Sequence, residues 1–316
     1  MLKKKVYIAG QEGMVGNSLR KLLKEKRFKV LNVSRKSLDL TNMSSVYSWF
    51  KKNKPDIVIN AAARVGGIMD NSMYIHDYLN INMMIGFNLI NASLKFNVKK
   101  FINLGSACIY PKEAKQPIKE NYLLGGYLES TNEGYALAKI ASLKYCSYLK
   151  NKKKKNFISL QPANLYGVND NYDLKSSHVI PALFNKFHNA KIKNLKTVEV
   201  WGSGLCTRDF LYVDDLANAI NFCINNNFKE DFLNVGSGKE ISIKKIATMV
   251  KNITAFKGKI FYNKSYPDGT PRRVLDITKI KKLGWKPKIN INTGLKIYYE
   301  WYLNQLKKSK IKKKLA

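Results

Sequence analysis

The chain has 316 residues, enough for one large unit or two closely joined domains, and its 45% hydrophobic and 11% aromatic content is that of a globular protein with a substantial core. No apolar run approaches the roughly 20 residues of a membrane span, and Lys3-Lys4-Lys5 leads directly into an apolar run without a signal-peptide cleavage pattern, so a soluble cytoplasmic protein is expected. The formal charge of +34, from 56 Lys and Arg against 22 Asp and Glu, is spread over the whole length without interleaved stacking aromatics; this reads as solvated surface and not as a nucleic-acid face.

In chain order, the first 165 residues alternate short β-branched runs with longer helical patterns, the mark of βαβ units and a doubly wound parallel sheet of the Rossmann kind. Strands are predicted at Val6 to Ala9, Val30 to Val33, Ile57 to Ala61, Phe101 to Gly105 and Phe157 to Pro162, with helices at Val15 to Lys26, Ser44 to Lys52, Tyr78 to Phe96 and Asn132 to Leu149. Beyond Tyr166-Gly167 the regularity weakens. Helices are predicted at Val179 to Ala190, Asp214 to Asn225, Ser242 to Asn252 (capped by Ser242) and Thr293 to Leu306, and strands at Val198 to Trp201 and Phe232 to Val235. This divides the chain into a dinucleotide-binding domain over 1–165 and a smaller, interleaved substrate lobe over 166–316, with part of 196–235 returning to the first domain. The Lys-rich end beyond Lys307 is expected to fray.

Gly10-x-x-Gly13-x-x-Gly16 follows the first strand and opens the first helix, where backbone amides can hold a pyrophosphate. At the end of the second strand Ser34-Arg35-Lys36 replaces the acidic residue that would receive a ribose 2′-hydroxyl, so NADP(H) is favoured, although Glu12 in the glycine loop would repel a 2′-phosphate. Asp39-Leu40 follows as an adenine-side segment, and Asn60-Ala61-Ala62-Ala63 supplies small residues beside the cofactor. The four cysteines, Cys108, Cys146, Cys206 and Cys223, are scattered with no metal-ligand spacing, so neither zinc nor disulfides are indicated; Cys146 and Cys223 read as core thiols.

Tyr135 and Lys139, four residues apart on one helix, project from one face. With Ser106 at the end of the fourth parallel strand they suggest carbonyl reduction: Tyr135 the proton donor, Lys139 favouring its phenolate and holding the nicotinamide ribose, Ser106 bonding the substrate oxygen. Cys108, two residues after Ser106, is a candidate acid/base.

These motifs, together with Ala62 to Ile68, Lys115-Gln116-Pro117, Pro162 to Gly167, Ser177 to Leu183, Trp201 to Gly204 with Arg208-Asp209-Phe210, and Pro267 to Arg272, make the chain resemble the extended short-chain dehydrogenase/reductases, and more narrowly the GDP-L-fucose synthases. The resemblance implies 3,5-epimerisation and C4 reduction of GDP-4-keto-6-deoxy-D-mannose. It makes Cys108 and His178 the epimerisation pair beside Ser106, Tyr135 and Lys139. It implies NADP(H) contacts from Gly10, Gly13, Met14, Val15, Gly16, Arg35, Asp39, Leu40, Leu104, Gly105, Lys139, Pro162, Asn164, Leu165 and His178, and places the GDP-sugar on Lys186, Trp201, Arg208 and Asp268. Lys186 stands where relatives often carry Arg, and Ala107 where they carry a hydroxyl. A homodimer through the long helices beginning near Tyr78 and Asn132 is expected. A C4-reductase acting on a related GDP-4-keto hexose or heptose stays open.

Overall fold

The computed structural model describes residues 3–173, 177–266 and 268–315. Its first part runs β1 (Lys5–Ala9), α1 (Met14–Glu25), β2 (Lys29–Leu31), α2 (Met43–Asn53), β3 (Ile57–Asn60), α3 (Ile68–Met73), α4 (Ile75–Lys95), β4 (Lys100–Leu104), α5 (Glu133–Lys153) and β5 (Phe157–Pro162). It continues with β6 (Asn164–Tyr166), α6 (Val179–Ile192), β7 (Thr197–Trp201), β8 (Thr207–Tyr212), α7 (Val213–Asn225), β9 (Phe232–Val235), β10 (Glu240–Ser242), α8 (Ile243–Thr254), β11 (Lys259–Asn263), β12 (Arg272–Arg273), α9 (Thr278–Lys282) and α10 (Ile291–Leu315).

Six parallel strands form the main sheet in the order β2-β1-β3-β4-β5-β9. Period-two alternation sorts their side chains onto two cores. Val6, Ile8, Ile57, Ile59 and Ile102 face one, with Leu19 and Leu23 of α1 and Leu216 and Ile220 of α7. Tyr7, Ala9, Val58 and Phe101 face the other, with Val46 and Phe50 of α2, Leu89 and Ile90 of α4 and Cys146 of α5. Both faces are covered, so the strands are nearly continuous apolar runs, as a parallel sheet requires. Cys146 and Cys223 are core thiols, buried deeply enough that both thiol pKa values are pushed up to about 12. Lys100 opens β4 from inside this core because its ammonium donates to the carbonyls of Cys223, Ile224 and Asn226, which satisfies the end of α7 and fixes it over β4.

The second lobe packs α6, α8 and α10 around Tyr166, Phe184, Phe187, Tyr212 and Tyr298. Its sheet runs β10-β8-β12, with β6 alongside β8, and β7 pairs in parallel with β11. The chain leaves this lobe after β8 to add α7 and β9 to the main fold and then returns, so the lobes are interleaved. Strands β6, β8, β10, β11 and β12 and helices α3 and α9 were not anticipated; three of those strands are only two or three residues long, too short for a period to register. Strand β2 ends at Leu31 instead of Val33, and the last helix continues past Lys307 to Leu315 where fraying was expected. No helix among the described residues is long and apolar enough to cross a membrane.

Asp170, between β6 and α6, is an acid inside the second lobe. One oxygen accepts from Asn171 N at 2.8 Å, the other is buried without a partner among the described residues, and burial pushes the carboxyl pKa up to about 7. The native state therefore binds this proton more tightly than the unfolded chain does, and stability falls as pH rises toward 7. Asp170→Asn is expected to raise Tm at pH 8, with the gain shrinking toward pH 5; an equal gain at both values in a thermal-melt series would contradict the assignment.

Candidate active site

The glycine loop lies at the carboxyl edge of the sheet, where crossovers leave a crevice. Gly10 has φ +79°, and a Cβ there would lie 2.7 Å from the Ala61 carbonyl oxygen; one on Gly16 would lie 2.2 Å from that of Gly10. Both glycines are thus demanded by close backbone approach between β1, α1 and the end of β3. Gly13 differs: a Cβ there meets only Gly10 O, at 3.5 Å, so its other side is open. Gly13 is the N-cap of α1, no side chain caps it, and the first turn holds no acidic residue. The amides of Met14 and Val15 in that turn, with the positive end of the helix dipole, form an anion cradle.

Arg35 and Lys36, just beyond β2, are exposed. The exposed Asp39 carboxylate accepts from Thr41 N at 2.9 Å and Thr41 Oγ1 at 2.7 Å, bonds that hold its pKa below the usual carboxylate range. Leu40 is half-buried, its carbonyl taking a hydrogen bond from Asn88 at 2.9 Å. The cradle, the close approaches and the exposed cations beyond β2 together fit a dinucleotide carrying a 2′-phosphate.

The end of β4 carries the reactive groups. Ser106 caps a turn of 3₁₀-helix over Ala107–Ile109, its Oγ accepting from Cys108 N at 3.2 Å, while its own N–H donates to Gln161 Oε1 at 3.0 Å. Gly105 is a glycine because that glutamine side chain fills the space a Cβ would need. Lys139 reaches across from α5: only 6% exposed, its Nζ donates to the Leu104 carbonyl at 2.9 Å and lies 5.6 Å from the Tyr135 ring centroid. Burial brings its pKa down to about 8. Tyr135 is half-buried; burial pushes its phenol up, with Cys108 adding to the rise and the neighbouring Ser106 side chain opposing it. Asn132, one turn before Tyr135, donates Nδ2 to Cys108 Sγ at 3.6 Å. Ser106, Cys108, Tyr135 and Lys139 therefore form one cluster. Behind it a buried polar row crosses the sheet, Asn60 to Asn103 at 3.1 Å and Asn103 to Ser159 at 3.4 Å.

The remaining residues come from the second lobe and its joint with the sheet. Pro162 ends β5 in the core; Asn164 and Leu165 begin β6, Asn164 donating to Asp209 O at 3.3 Å. His178 stands at the N-cap of α6, exposed to water yet enclosed enough that burial lowers its pKa, which keeps the imidazole neutral at pH 7. Lys186 Nζ bonds Glu199 O at 3.1 Å and lies 4.8 Å from the Trp201 ring centroid. Arg208 is clasped by the Thr207 and Thr270 carbonyls at 2.8 and 2.7 Å, and Asp268 accepts from Ser203 N at 2.9 Å.

A family model described as the NAD dependent epimerase/dehydratase family matches residues 6–236. The chain belongs to this family. The GDP-L-fucose synthase of Escherichia coli (strain K12) is 41% identical over 313 residues, spanning 96% of this chain and 98% of that protein, and GDP-L-fucose synthase 1 of Arabidopsis thaliana is 44% identical over 303 residues, spanning 96% and 94%. Among solved structures, a GDP-mannoheptose C4 reductase from Campylobacter jejuni with NADP bound superposes with a TM-score of 0.88 at 38% identity, covering 96% of this chain and 99% of that one.

Four residues that touch this cluster or its neighbours were not singled out from the sequence. Asn132 had a usable signal, sitting three residues before Tyr135 on the same helical face. Gln161 had one as well, as an uncharged polar residue in a fully buried strand. Arg273, whose Nη1 donates to Ala107 O at 3.4 Å, and Tyr266, stacked on Trp201, depend on distant pairings. For Lys139 the charged form is the one disfavoured by burial, so its cost to stability is present below about pH 8 and disappears as pH rises toward the ordinary value of 10.5. In lysine-labelled protein one side-chain NMR resonance is expected to titrate near pH 8 and to be missing from Lys139→Met; titration only at the ordinary lysine value would refute this.

Proposed function

We propose that this protein carries out NADPH-dependent 3,5-epimerisation and C4 reduction of GDP-4-keto-6-deoxy-D-mannose to GDP-L-fucose. The observation that carries the reading is the place of the Cys108 thiol, held by Asn132 at 3.6 Å beside Ser106, whose Oγ accepts from Cys108 N at 3.2 Å. A reductase alone needs no acid/base there. NADPH would be held by the α1 cradle at Gly10, Gly13, Met14, Val15 and Gly16, by Arg35 on its 2′-phosphate, and by Asp39, Leu40, Leu104, Gly105, Lys139, Pro162, Asn164, Leu165 and His178 along the carboxyl edge; bound there, it supplies the hydride for C4.

The chain's own groups manage protons and charge. Protons at C3 and C5 are acidified by the neighbouring 4-keto group, so a side-chain base can remove one and a group on the opposite face can return one. Cys108 and neutral His178 fill those two roles. At C4 the Tyr135 hydroxyl, kept protonated by burial, gives its proton to the developing alkoxide while Ser106 hydrogen-bonds the same oxygen. The Lys139 ammonium stabilises the phenolate left behind. Lys186 and Arg208 hold the diphosphate, and Trp201 and Asp268 line the nucleotide side. We assign the cofactor to residues 1–165 with α7 and β9, and the sugar nucleotide to the remainder of 166–316.

The similarity to a GDP-mannoheptose C4 reductase favours one second reading, C4 reduction without epimerisation. Incubation with GDP-4-keto-6-deoxy-D-mannose and NADPH in deuterated water separates the two. NADPH loss with deuterium at C3 and C5 is expected; NADPH loss without deuterium would replace the first reading by the second, and no reaction would refute both for this sugar. Cys108→Ser is expected to lower product formation by about 100-fold or more, the usual scale of a lost acid/base, with deuterium exchange falling in parallel.

We further propose a homodimer through α4 and α5. A cavity of about 370 Å³ between them, lined by Phe87, Ala141, Lys144, Tyr145 and Tyr148, leaves aromatic surface exposed that a second copy would cover. Sedimentation at micromolar concentration is expected to give the dimer mass, reduced to the monomer by Tyr148→Glu; a monomeric wild-type protein would remove the proposal.

A further inference from the structure

We infer that Tyr266 is a substrate-binding residue: with Trp201 it forms the aromatic platform on which the nucleobase of the sugar nucleotide stacks. The inference rests on the reading of a GDP-sugar as substrate and adds a residue that neither motif nor resemblance assigned. Strands β7 and β11 are parallel and end in register at Trp201 and Asn263, so both deliver their next residues to one carboxyl edge. There Asn263 organises a tight turn: its carbonyl accepts from Gly202 N at 2.8 Å and Tyr266 N at 3.4 Å, and its side-chain oxygen from Ser265 N at 3.0 Å. The turn brings Tyr266 back over Trp201, with ring centroids 4.4 Å apart and planes within 11° of parallel.

Both rings remain wet, Trp201 53% and Tyr266 39% exposed. Their contact is not what anchors the loop. Asp268, two residues on, accepts from Ser203 N at 2.9 Å and packs on Gly202, whose φ of +77° leaves that side free of a Cβ, so the segment is tied down on both sides of Tyr266 without its ring. The Lys186 ammonium stands over the Trp201 ring, 4.8 Å from its centroid, which leaves the outer face of Tyr266 for a base, and Arg208, clasped at Thr270, supplies a second cation. A flat π surface next to convergent cations matches the two ends of a nucleotide, base and diphosphate. Base-on-aromatic stacking is worth about 1–3 kcal/mol per base, which corresponds to about 5- to 150-fold in affinity.

Titration calorimetry of GDP and UDP, with steady-state kinetics on the GDP-sugar, tests this on wild type, Tyr266→Ala and Tyr266→Phe. Tyr266→Ala is expected to weaken GDP about tenfold and to raise KM by a similar factor, with kcat changing less; Tyr266→Phe, which keeps the ring, is expected to restore binding to within about twofold of wild type. Unchanged or tighter GDP binding by Tyr266→Ala would overturn the inference, the latter meaning that Tyr266 covers Trp201 and must be displaced. A lowered Tm with unchanged Kd would overturn it too, as a loop anchor. Wild-type protein that binds no GDP would remove the substrate reading and this inference with it, whereas GDP binding that is indifferent to Tyr266→Ala removes the inference alone.

Discussion

The hydrogen bond from the Lys139 ammonium to the Leu104 carbonyl is the constraint on which the reactive cluster depends. It fastens the second turn of α5 to the last residue of β4, and so sets the distance between Tyr135 on the helix and Ser106 beyond the strand. A carbonyl at a strand end is a neutral acceptor, so the bond holds the side chain without cancelling its charge. Burial then makes that charge costly, which is why the amine's pKa comes down to about 8 and why a nearby phenolate or phosphate would be strongly welcomed. Glycines at 10, 16 and 105 reflect the same crowding, each placed where backbone or Gln161 fills the volume of a Cβ.

A second constraint joins the lobes. The Asp209 carboxylate, fully buried, accepts from Ser237 N at 2.9 Å, from Ser237 Oγ and from Gly238 N at 3.2 Å, tying β8 to the turn that follows β9 in the main sheet. Burial raises its pKa while these bonds lower it. Arg208, the residue before it, points the other way along the strand by the period-two rule, into the region of Thr270 and Cys108. One residue thus locks the lobe and its neighbour presents a cation from the locked edge. Asp215 does the same work lower down, receiving Lys288 N at 3.0 Å and Ile289 N at 2.8 Å and so setting the approach to α10.

What the sequence disclosed, and what it hid, divides by range of interaction. The main-sheet strands from β1 to β5 and the long helices α1, α2, α4 and α5 were legible because they alternate as βα units and their glycines are local; the Tyr135–Lys139 pair was legible because one helical turn decides it. Strands β6, β10 and β12 were not, since two or three residues carry no period and form only when β8 offers an edge. Tyr266 was hidden because its stacking requires β7 and β11 to pair across 62 positions, as Trp201 with Asn263. Asn132 and Gln161 were overlooked although each broke a local pattern. The Lys-rich end misled in the opposite direction: its charges repel, yet Lys is a good helix former, and the helix beginning at Ile291 carries through it to Leu315.

The charge of the chain finds its sense at the same site. With 56 cations and 22 acids, most lysines have no carboxylate to pair with and remain in water. Those drawn inward turn to carbonyls instead: Lys100 to three at the end of α7, Lys139 to Leu104, Lys186 to Glu199 O, Arg208 to Thr207 and Thr270, Arg273 to Ala107. Among the described residues no carboxylate lies within ion-pair distance of Lys139, Lys186 or Arg208. A carboxylate partner would satisfy such a cation and silence it, because an incoming anion would have to displace it. Carbonyl partners position the cation without forming an ion pair, so an anionic ligand reaching the three would find them already oriented and already partly stripped of water. That preorganisation, more than the long-range pull of the net charge, distinguishes the cations of the cleft from the many on the surface: long-range attraction fades within about a Debye length, ~8 Å at physiological salt, whereas buried, oriented cations keep most of their effect.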